Sequence, residues 1–432
     1  MQLSQLKQRV RSRNYRVPTP EQLRHCGFHP NKFATKVTYG FKYHVMANIT
    51  LKPDDVYQLP TNTSIQGDIL DKLLQSTTTN YNRGYDKQTV INYDEVRSPI
   101  EKNTLQKNMM GKKPEEIIAK NRDLVNPFCY KLFPHWFLNR ASMKLSNLNY
   151  SFDNIIGKLL SDTNKKVSFA DLCCAPGGFS YYLMNTFCRK YMDIYMTTME
   201  NVGTYLKISP KVEQLQCKSN VCISFGDICS KDNRLCFKNI VGSENTLDFV
   251  LADGGIDFSG NENHQEFMSR KLYLSQMIMG LDLLKPTGFM ICKFFDLYST
   301  FSITLLFLLS FLFEEIKICK PMTSRQGNSE KYILFKKYKP NCKIITHMKE
   351  VLDTELSFDM YKLHMINSLV NIEEAYRFGF AQFLDDITEI NKKLAMKQFI
   401  ALQKYNGVVK IIQHHMNLEH DYMKMWHSTI KR

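Results

Sequence analysis

Long apolar runs are what this sequence of 432 residues most lacks. Its most hydrophobic stretch, Phe301–Phe313, falls short of the roughly 20 residues that span a bilayer, and Lys293, Asp296, Glu314 and Glu315 hem it in. A buried helix is the expectation there, with no membrane as partner. The opening Met-Gln-Leu-Ser-Gln-Leu-Lys has no apolar signal core, so a soluble chain that is not secreted is expected. The 12 cysteines include no C-x-x-C pair and only one adjacent pair, Cys173–Cys174. That spacing excludes a close-ligand zinc site and a dense disulfide framework, and predicts reduced thiols in a reducing compartment and no metal. Internal repeats, low-complexity tracts and the dinucleotide pattern G-x-G-x-x-G are also absent. Acid is in deficit: 57 Lys and Arg against 42 Asp and Glu leave a net charge of +15, which favours a polyanionic partner such as nucleic acid.

What is present falls into three parts. Residues 1–104 form an N-terminal extension that opens with a basic arm carrying Lys7, Arg9, Arg11, Arg13 and Arg16. Its second half, 61–104, is polar and reads as loops and short elements. Residues 105–338 alternate short apolar runs with longer amphipathic ones, beginning with a helix at Pro114. The pattern predicts strands over Val167–Leu172, Asp193–Met199, Leu247–Ala252, Phe289–Phe294 and Lys331–Lys336. It predicts helices over Phe179–Cys188, Gln265–Leu284 and Phe301–Phe313. Such alternation specifies an α/β fold with a doubly wound sheet. Residues 339–432 have helical periodicity without a readable motif, and a packing appendage is expected.

One junction carries chemistry. The strand ending Asp171-Leu172 runs into Cys173-Cys174-Ala175-Pro176-Gly177-Gly178-Phe179-Ser180 and then a helix. The paired glycines let a ligand approach the backbone, and the helix N-terminus offers unpaired N–H groups to a carboxylate. In open α/β sheets ligands sit at the carboxyl ends of strands, where this loop lies. The string resembles the first cofactor motif of the FtsJ-type RNA 2'-O-methyltransferases. That resemblance implies a Rossmann-like methyltransferase sheet and S-adenosyl-L-methionine as cofactor. Asn139, Cys173 through Phe179, Asp227 and Ile228 would line it, and Glu200 is placed to hold ribose hydroxyls.

Moving a methyl from a sulfonium to a ribose hydroxyl needs a base and local positive charge, since the hydroxyl is a poor nucleophile at neutral pH. Lys144, Asp253, Lys293 and Glu330 occupy loci similar to the family's Lys-Asp-Lys-Glu tetrad. Lys293 stands inside the apolar run Phe289–Phe295, where an unpartnered lysine is costly. The expectation is that Lys293 is the general base, its pKa depressed by burial and nearby cations, with Asp253 and Glu330 holding it.

Longer strings narrow the resemblance. Asn139-Arg-Ala-Ser-Met-Lys-Leu-Ser-Asn-Leu-Asn-Tyr, Glu262-Asn-His-Gln-Glu and Lys320-Pro-Met-Thr-Ser-Arg-Gln-Gly-Asn-Ser-Glu-Lys-Tyr look like the cap-specific mRNA 2'-O-methyltransferases that make cap 1. The substrate so implied is the first transcribed nucleotide at the 5' end of capped mRNA, with Lys107, Arg122, Asn263, His264, Gln265 and Asn328 contacting the RNA. The G-patch, guanylyltransferase-like and WW modules of metazoan members are not recognisable in these 432 residues. Other capping or transcription proteins would meet the terminal appendages. The nucleus, or for a viral or parasite chain the compartment where its transcripts are capped, is the expected location. Two alternatives stay open: an FtsJ-type enzyme acting on rRNA or tRNA, and a non-catalytic RNA-binding subunit of the same fold.

Overall fold

In the computed structural model eight strands form one sheet. The structure describes residues 56–62, 65, 67–74 and 136–414, apart from 162–165, 188–190, 200–206, 215–218, 243–244, 257–264 and 356–367. In chain order the strands are β1 (Val56–Leu59), β2 (Val167–Leu172), β3 (Met192–Thr198), β4 (Asn220–Phe225), β5 (Leu247–Ala252), β6 (Leu284–Phe294), β7 (Phe313–Cys319) and β8 (Lys331–Tyr338). Their order across the sheet is β1-β7-β8-β6-β5-β2-β3-β4. Strands β2 to β6 pair in parallel, and β8 runs antiparallel between β6 and β7. The order reverses between β2 and β5, so the crevice for a ligand opens where those two strands end.

The helices are α1 (Gly67–Leu74), α2 (Arg140–Ser151), α3 (Ile155–Ser161), α4 (Gly178–Thr186), α5 (Pro210–Glu213), α6 (Lys231–Val241), α7 (Gln265–Met268), α8 (Arg270–Leu283), α9 (Thr300–Leu309), α10 (Cys342–Glu350), α11 (Ile372–Arg377) and α12 (Phe380–His414). They cover both faces of the sheet, because β2, β5 and β6 alternate apolar side chains to either side. One face carries Val167, Phe169, Phe249, Leu251, Phe289 and Ile291 against the α2–α4 group. There Phe169, Phe249 and Phe289 stack across three strands, with ring centroids 4.7 Å and 5.0 Å apart. The other face carries Ala170, Leu172, Val250, Met290 and Phe294 against α8 and α9.

Helix α9 is buried all round, as an apolar helix must be, and α12 covers it through Phe380 and Phe383, whose rings meet Phe307 edge-on. No described helix is long and apolar enough to cross a membrane. The apolar residues of α10 and α12, from Ile344 to Leu394, are continuous with this core. Helix α12 also reaches two loops at the strand ends: Asn391 donates to Leu297 O at 2.6 Å, and Gln398 to Gly327 O at 3.3 Å.

Several elements differ from the sequence pattern; β6 begins at Leu284 and not Phe289, and β4 and α6 have no expected counterpart. The expected helix Gln265–Leu284 is broken at Ser269 into α7 and α8. Helix α9 stops at Leu309, and Phe313, expected as its end, instead begins β7, which pairs with β8 and buries Phe313, Ile316 and Ile318. Strand β1, outside the alternating region, adds to the free edge of β7. The helix from Pro114 and the basic arm lie outside the described residues.

Candidate active site

Strand β2 ends in a tight loop because two residues there take left-handed backbone. Cys173 has φ 56° and Gly177 φ 93°; only the glycine does so without steric cost. The loop is tied to β3 by Cys174 N donating to Thr197 O at 3.0 Å, and closed by Gly177 N donating to Cys174 O at 2.6 Å. Asp171, the penultimate residue of β2, reaches past it to the start of α4. Its Oδ2 accepts from Ser180 N at 3.1 Å and Ser180 Oγ at 2.7 Å, while its buried Oδ1 has no partner. Burial pushes this carboxyl up to about 7, against the pull of the Ser180 bonds. Asp171 is thus a strand-to-helix clamp that the loop's glycines gave no hint of.

Helix α2 docks on the same loop. Asn139 caps it, accepting from Ser142 N at 3.1 Å, and Ser142 Oγ donates to Gly178 O at 2.7 Å. A Cβ added to Gly178 would lie 2.3 Å from Asn139 Oδ1, so only glycine lets the two elements close. Phe179 and Ile228 are buried and leave mainly their backbone to face a ligand. Asp227 stays exposed just beyond β4.

Beside this loop, at the same edge of the sheet, four elements bring Lys144, Asp253, Lys293 and Glu330 together. Lys144 comes from α2, Asp253 follows β5, Lys293 lies near the end of β6 and Glu330 immediately precedes β8. Lys144 Nζ donates to Glu330 Oε2 at 2.9 Å. Lys293 Nζ lies 3.2 Å from Asp253 Oδ1 and donates to Asp253 O at 2.8 Å. Tyr332 links the two pairs: its hydroxyl donates to Asp253 Oδ1 at 2.7 Å and accepts from Lys144 Nζ at 3.2 Å. Ser324 Oγ donates to Glu330 Oε1 at 2.6 Å. Behind Glu330, Lys320 Nζ holds Asn328 O, Asn328 Oδ1 and Glu330 O at 2.8, 2.6 and 2.6 Å, fixing the approach to β8.

The electrostatics follow from this packing. Burial works to raise Glu330, but Lys144, Lys293 and Lys320 outweigh it and hold the carboxyl well below the ordinary range. Burial likewise works to lower Lys293, yet Asp253 and then Glu330 outweigh it, and the ammonium stands above its ordinary value. This corrects the expectation of a depressed lysine: two carboxylates on neighbouring strands face it, and their attraction exceeds the desolvation cost. Burial, with Asp253 and Glu330 next, raises Tyr332 far above a normal phenol, so it serves as a donor to Asp253.

Of the remaining sequence candidates, Gln265 opens α7 and its Oε1 accepts from Ser329 Oγ at 3.0 Å, joining that helix to the loop before β8. Asn328 is turned toward Lys320. Lys107, Arg122, Glu200, Asn263 and His264 lie outside the described residues. Tyr332, Ser324 and Lys320 escaped sequence reading as site residues, although all three stand within the string Lys320–Tyr332. Among the described residues no group of three or more His, Cys, Asp or Glu could hold a metal ion, and the eight described cysteines are free thiols.

The residues present fit S-adenosylmethionine. The N-terminus of α4 would present main-chain N–H groups to the carboxylate of its amino-acid tail, and Asp227, exposed just after β4 and two strands from β2, would offer an acceptor. A Cβ at Gly255 would come within 2.9 Å of Lys293 Nζ, so glycine there keeps the amine approachable from the crevice.

Known proteins resemble this chain over the region that carries these residues. The family model for FtsJ-like methyltransferases matches residues 137–338. The mouse cap-specific mRNA (nucleoside-2'-O-)-methyltransferase 1 is 31% identical over 296 residues, 64% of this chain and 34% of that protein. The inactive cap-specific mRNA (nucleoside-2'-O-)-methyltransferase 1B of Caenorhabditis briggsae is 25% identical over 429 residues, 89% of this chain and 49% of that protein. The chain therefore spans about a third to a half of the length of these relatives. A solved structure described as a ribosomal RNA methyltransferase of Plasmodium falciparum shares 19% identity at a TM-score of 0.35, covering 47% of this chain and 99% of that one. FtsJ-like methyltransferases take their methyl group from S-adenosylmethionine. Residues 137–338 of this chain are an FtsJ-like methyltransferase domain.

Proposed function

We propose that this chain methylates the ribose 2'-hydroxyl of the first transcribed nucleotide of capped mRNA, converting cap 0 to cap 1. The observation that carries the reading is the hydrogen-bonded group of Lys144, Asp253, Lys293, Glu330 and Tyr332 beside the Gly177–Gly178 loop. S-adenosylmethionine, when bound, supplies an electrophilic methyl group on a sulfonium. Lys293 takes the proton of the attacking hydroxyl, and Asp253 fixes its amine through both a side-chain and a main-chain oxygen. Because the carboxylates favour the ammonium form, Lys293 must lose its proton first, and the rate rises with pH. Lys144, paired with Glu330, adds positive charge next to the developing alkoxide.

Capped RNA is the favoured substrate because the mouse relative carries that activity in its name, and because the strings Glu262–Glu266 and Lys320–Tyr332 resemble those of the cap-specific mRNA 2'-O-methyltransferases. Gln265 and Asn328 would meet the RNA, with Lys107, Arg122, Asn263 and His264 completing the contact. A second reading, a capped-RNA binder without activity, is favoured by the match, over 89% of this chain, to the Caenorhabditis protein named inactive. One experiment separates them. The protein is incubated with S-adenosylmethionine and matched capped and uncapped RNAs, and the methyl group is located by mass spectrometry of the digested product. Methyl on the first nucleotide of capped RNA alone supports the proposal. Methyl on uncapped RNA equally well moves the activity to another RNA class. RNA binding without transfer supports the second reading.

A further inference from the structure

The turn after β4 is held from a distant part of the chain. Gly226 N donates to Thr198 O at 2.8 Å, fixing the end of β4 to β3, and Asp227 then folds the turn on itself. Its Oδ1 accepts from Cys229 N at 2.9 Å, and its main-chain oxygen accepts from Ser230 N at 2.9 Å and from Asn233 Nδ2 at 3.1 Å. The next carbonyls, of Ile228 and Cys229, both accept from Arg234 Nη1 at 3.2 Å. Arg234 sits one turn along α6 with its side chain only 8% exposed. Its other nitrogen, Nη2, pairs with Asp353 Oδ1, and Lys231 Nζ lies 3.2 Å from Asp353 Oδ2. Asp353 belongs to a single π-helical turn, Val351–Glu355, that continues α10. Val351 and Leu352 anchor that turn in the core at 3% and 1% exposure, so the carboxylate is presented from a fixed base.

We infer that Asp353 is a positioning residue for the cofactor site, acting through Arg234 on the turn Asp227–Ser230. The inference rests on the reading of that turn as cofactor-facing. Without the carboxylate, a nearly buried guanidinium has lost its counter-charge. It must then swing toward water and release the carbonyls of Ile228 and Cys229, or stay and be repelled by Lys231. Both outcomes loosen the turn that presents Asp227. None of Lys144, Asp253, Lys293, Glu330 or Tyr332 has a hydrogen bond or ion pair with Arg234 or Asp353. The loss should therefore fall on cofactor affinity rather than on turnover once the site is filled. The C-terminal segment, which the sequence marks only as a helical appendage, in this way becomes part of the cofactor site.

The test uses the full chain and S-adenosylmethionine binding by calorimetry, with kcat and KM for the cofactor and a thermal melt beside it. Asp353→Asn should weaken binding about tenfold, as expected for one charge-assisted hydrogen bond, while kcat at saturating cofactor stays within about twofold. Asp353→Glu should recover most of the affinity. If Asp353→Asn does not fold, the paired change Arg234→Met with Asp353→Leu removes both charges and keeps apolar volume. That protein should fold and still bind weakly, because the two carbonyls have lost their donor. A lower melting temperature with unchanged affinity in either variant would reduce Asp353 to a structural role and overturn the inference. A wild-type chain that does not bind the cofactor at all would overturn the functional reading beneath it. Native binding in wild type and variants alike would sink only the role of Asp353.

Discussion

Replacing Asp253 by Asn changes the charge facing Lys293 while leaving the contacts in place, since an amide oxygen can still accept from Tyr332 and from Lys293. The main-chain bond from Lys293 to Asp253 O at 2.8 Å does not depend on the side chain. At the 3.2 Å separation of Lys293 Nζ and Asp253 Oδ1, a full charge pair is worth ~5 kcal/mol at an effective dielectric of about 20, a ceiling of nearly four pKa units. The amide dipole and local relaxation recover much of that, and opposite charges this close commonly shift a partner by about 1–3 units. Glu330 stays in the variant and continues to favour the ammonium. The acid limb of kcat should therefore move about 1–3 units lower in Asp253→Asn, even as its plateau falls. Initial rates of methyl transfer to capped RNA at saturating cofactor, followed from about pH 6 to about pH 10, read this directly. A limb that stays in place, or moves upward, would show that Lys293 is not the titrating group.

Lys293→Arg should be nearly as inactive as Lys293→Ala, with cofactor affinity preserved in both, because a guanidinium does not release its proton near neutral pH; retained activity in the Arg variant by the same methyl-transfer assay would make the lysine an electrostatic positioner only. Gly178→Asp should abolish cofactor binding by calorimetry, since its Cβ would lie 2.3 Å from Asn139 Oδ1 and its charge would oppose the cofactor's carboxylate; native affinity would move the site elsewhere. Asp171 holds a proton in the fold that the unfolded chain releases above pH ~4, so the native protein should lose stability as pH rises from there to about 7, by at most about 4 kcal/mol. Asp171→Asn should abolish that decline, and melting temperatures compared at the two ends of the window would reveal it. RNA affinity should fall steeply with salt, and the slope should lessen when Lys107 or Arg122 is neutralised; a flat titration would assign the charge of +15 to solubility.

The sequence by itself determined whatever is local. Strands β2 and β5 have the very bounds that their apolar runs imply, Val167–Leu172 and Leu247–Ala252, because a strand buried on both faces is written as a continuous apolar run. The tight turn Cys173–Gly178 was legible because paired glycines between an apolar run and a helical one mark a sharp strand-to-helix junction. Lys144, Asp253, Lys293 and Glu330, which the structure brings together, each stood inside a short distinctive string. Tertiary structure alone decided what depends on residues far apart in the chain. The antiparallel insertion of β8 between β6 and β7 is a matter of pairing, which period and composition do not encode. The same is true of β7 itself, where Phe311-Leu312-Phe313 prolongs the apolar run of α9 and hides the change of element. Tyr332 entered the site because β8 sets it between Asp253 and Lys144, 79 residues from the one and 188 from the other. The direction of the Lys293 shift was beyond the sequence for the same reason. Burial is written in the apolar run around it, but the opposing charges arrive from β5 and from the start of β8, and only their distances in the folded sheet decide which effect wins.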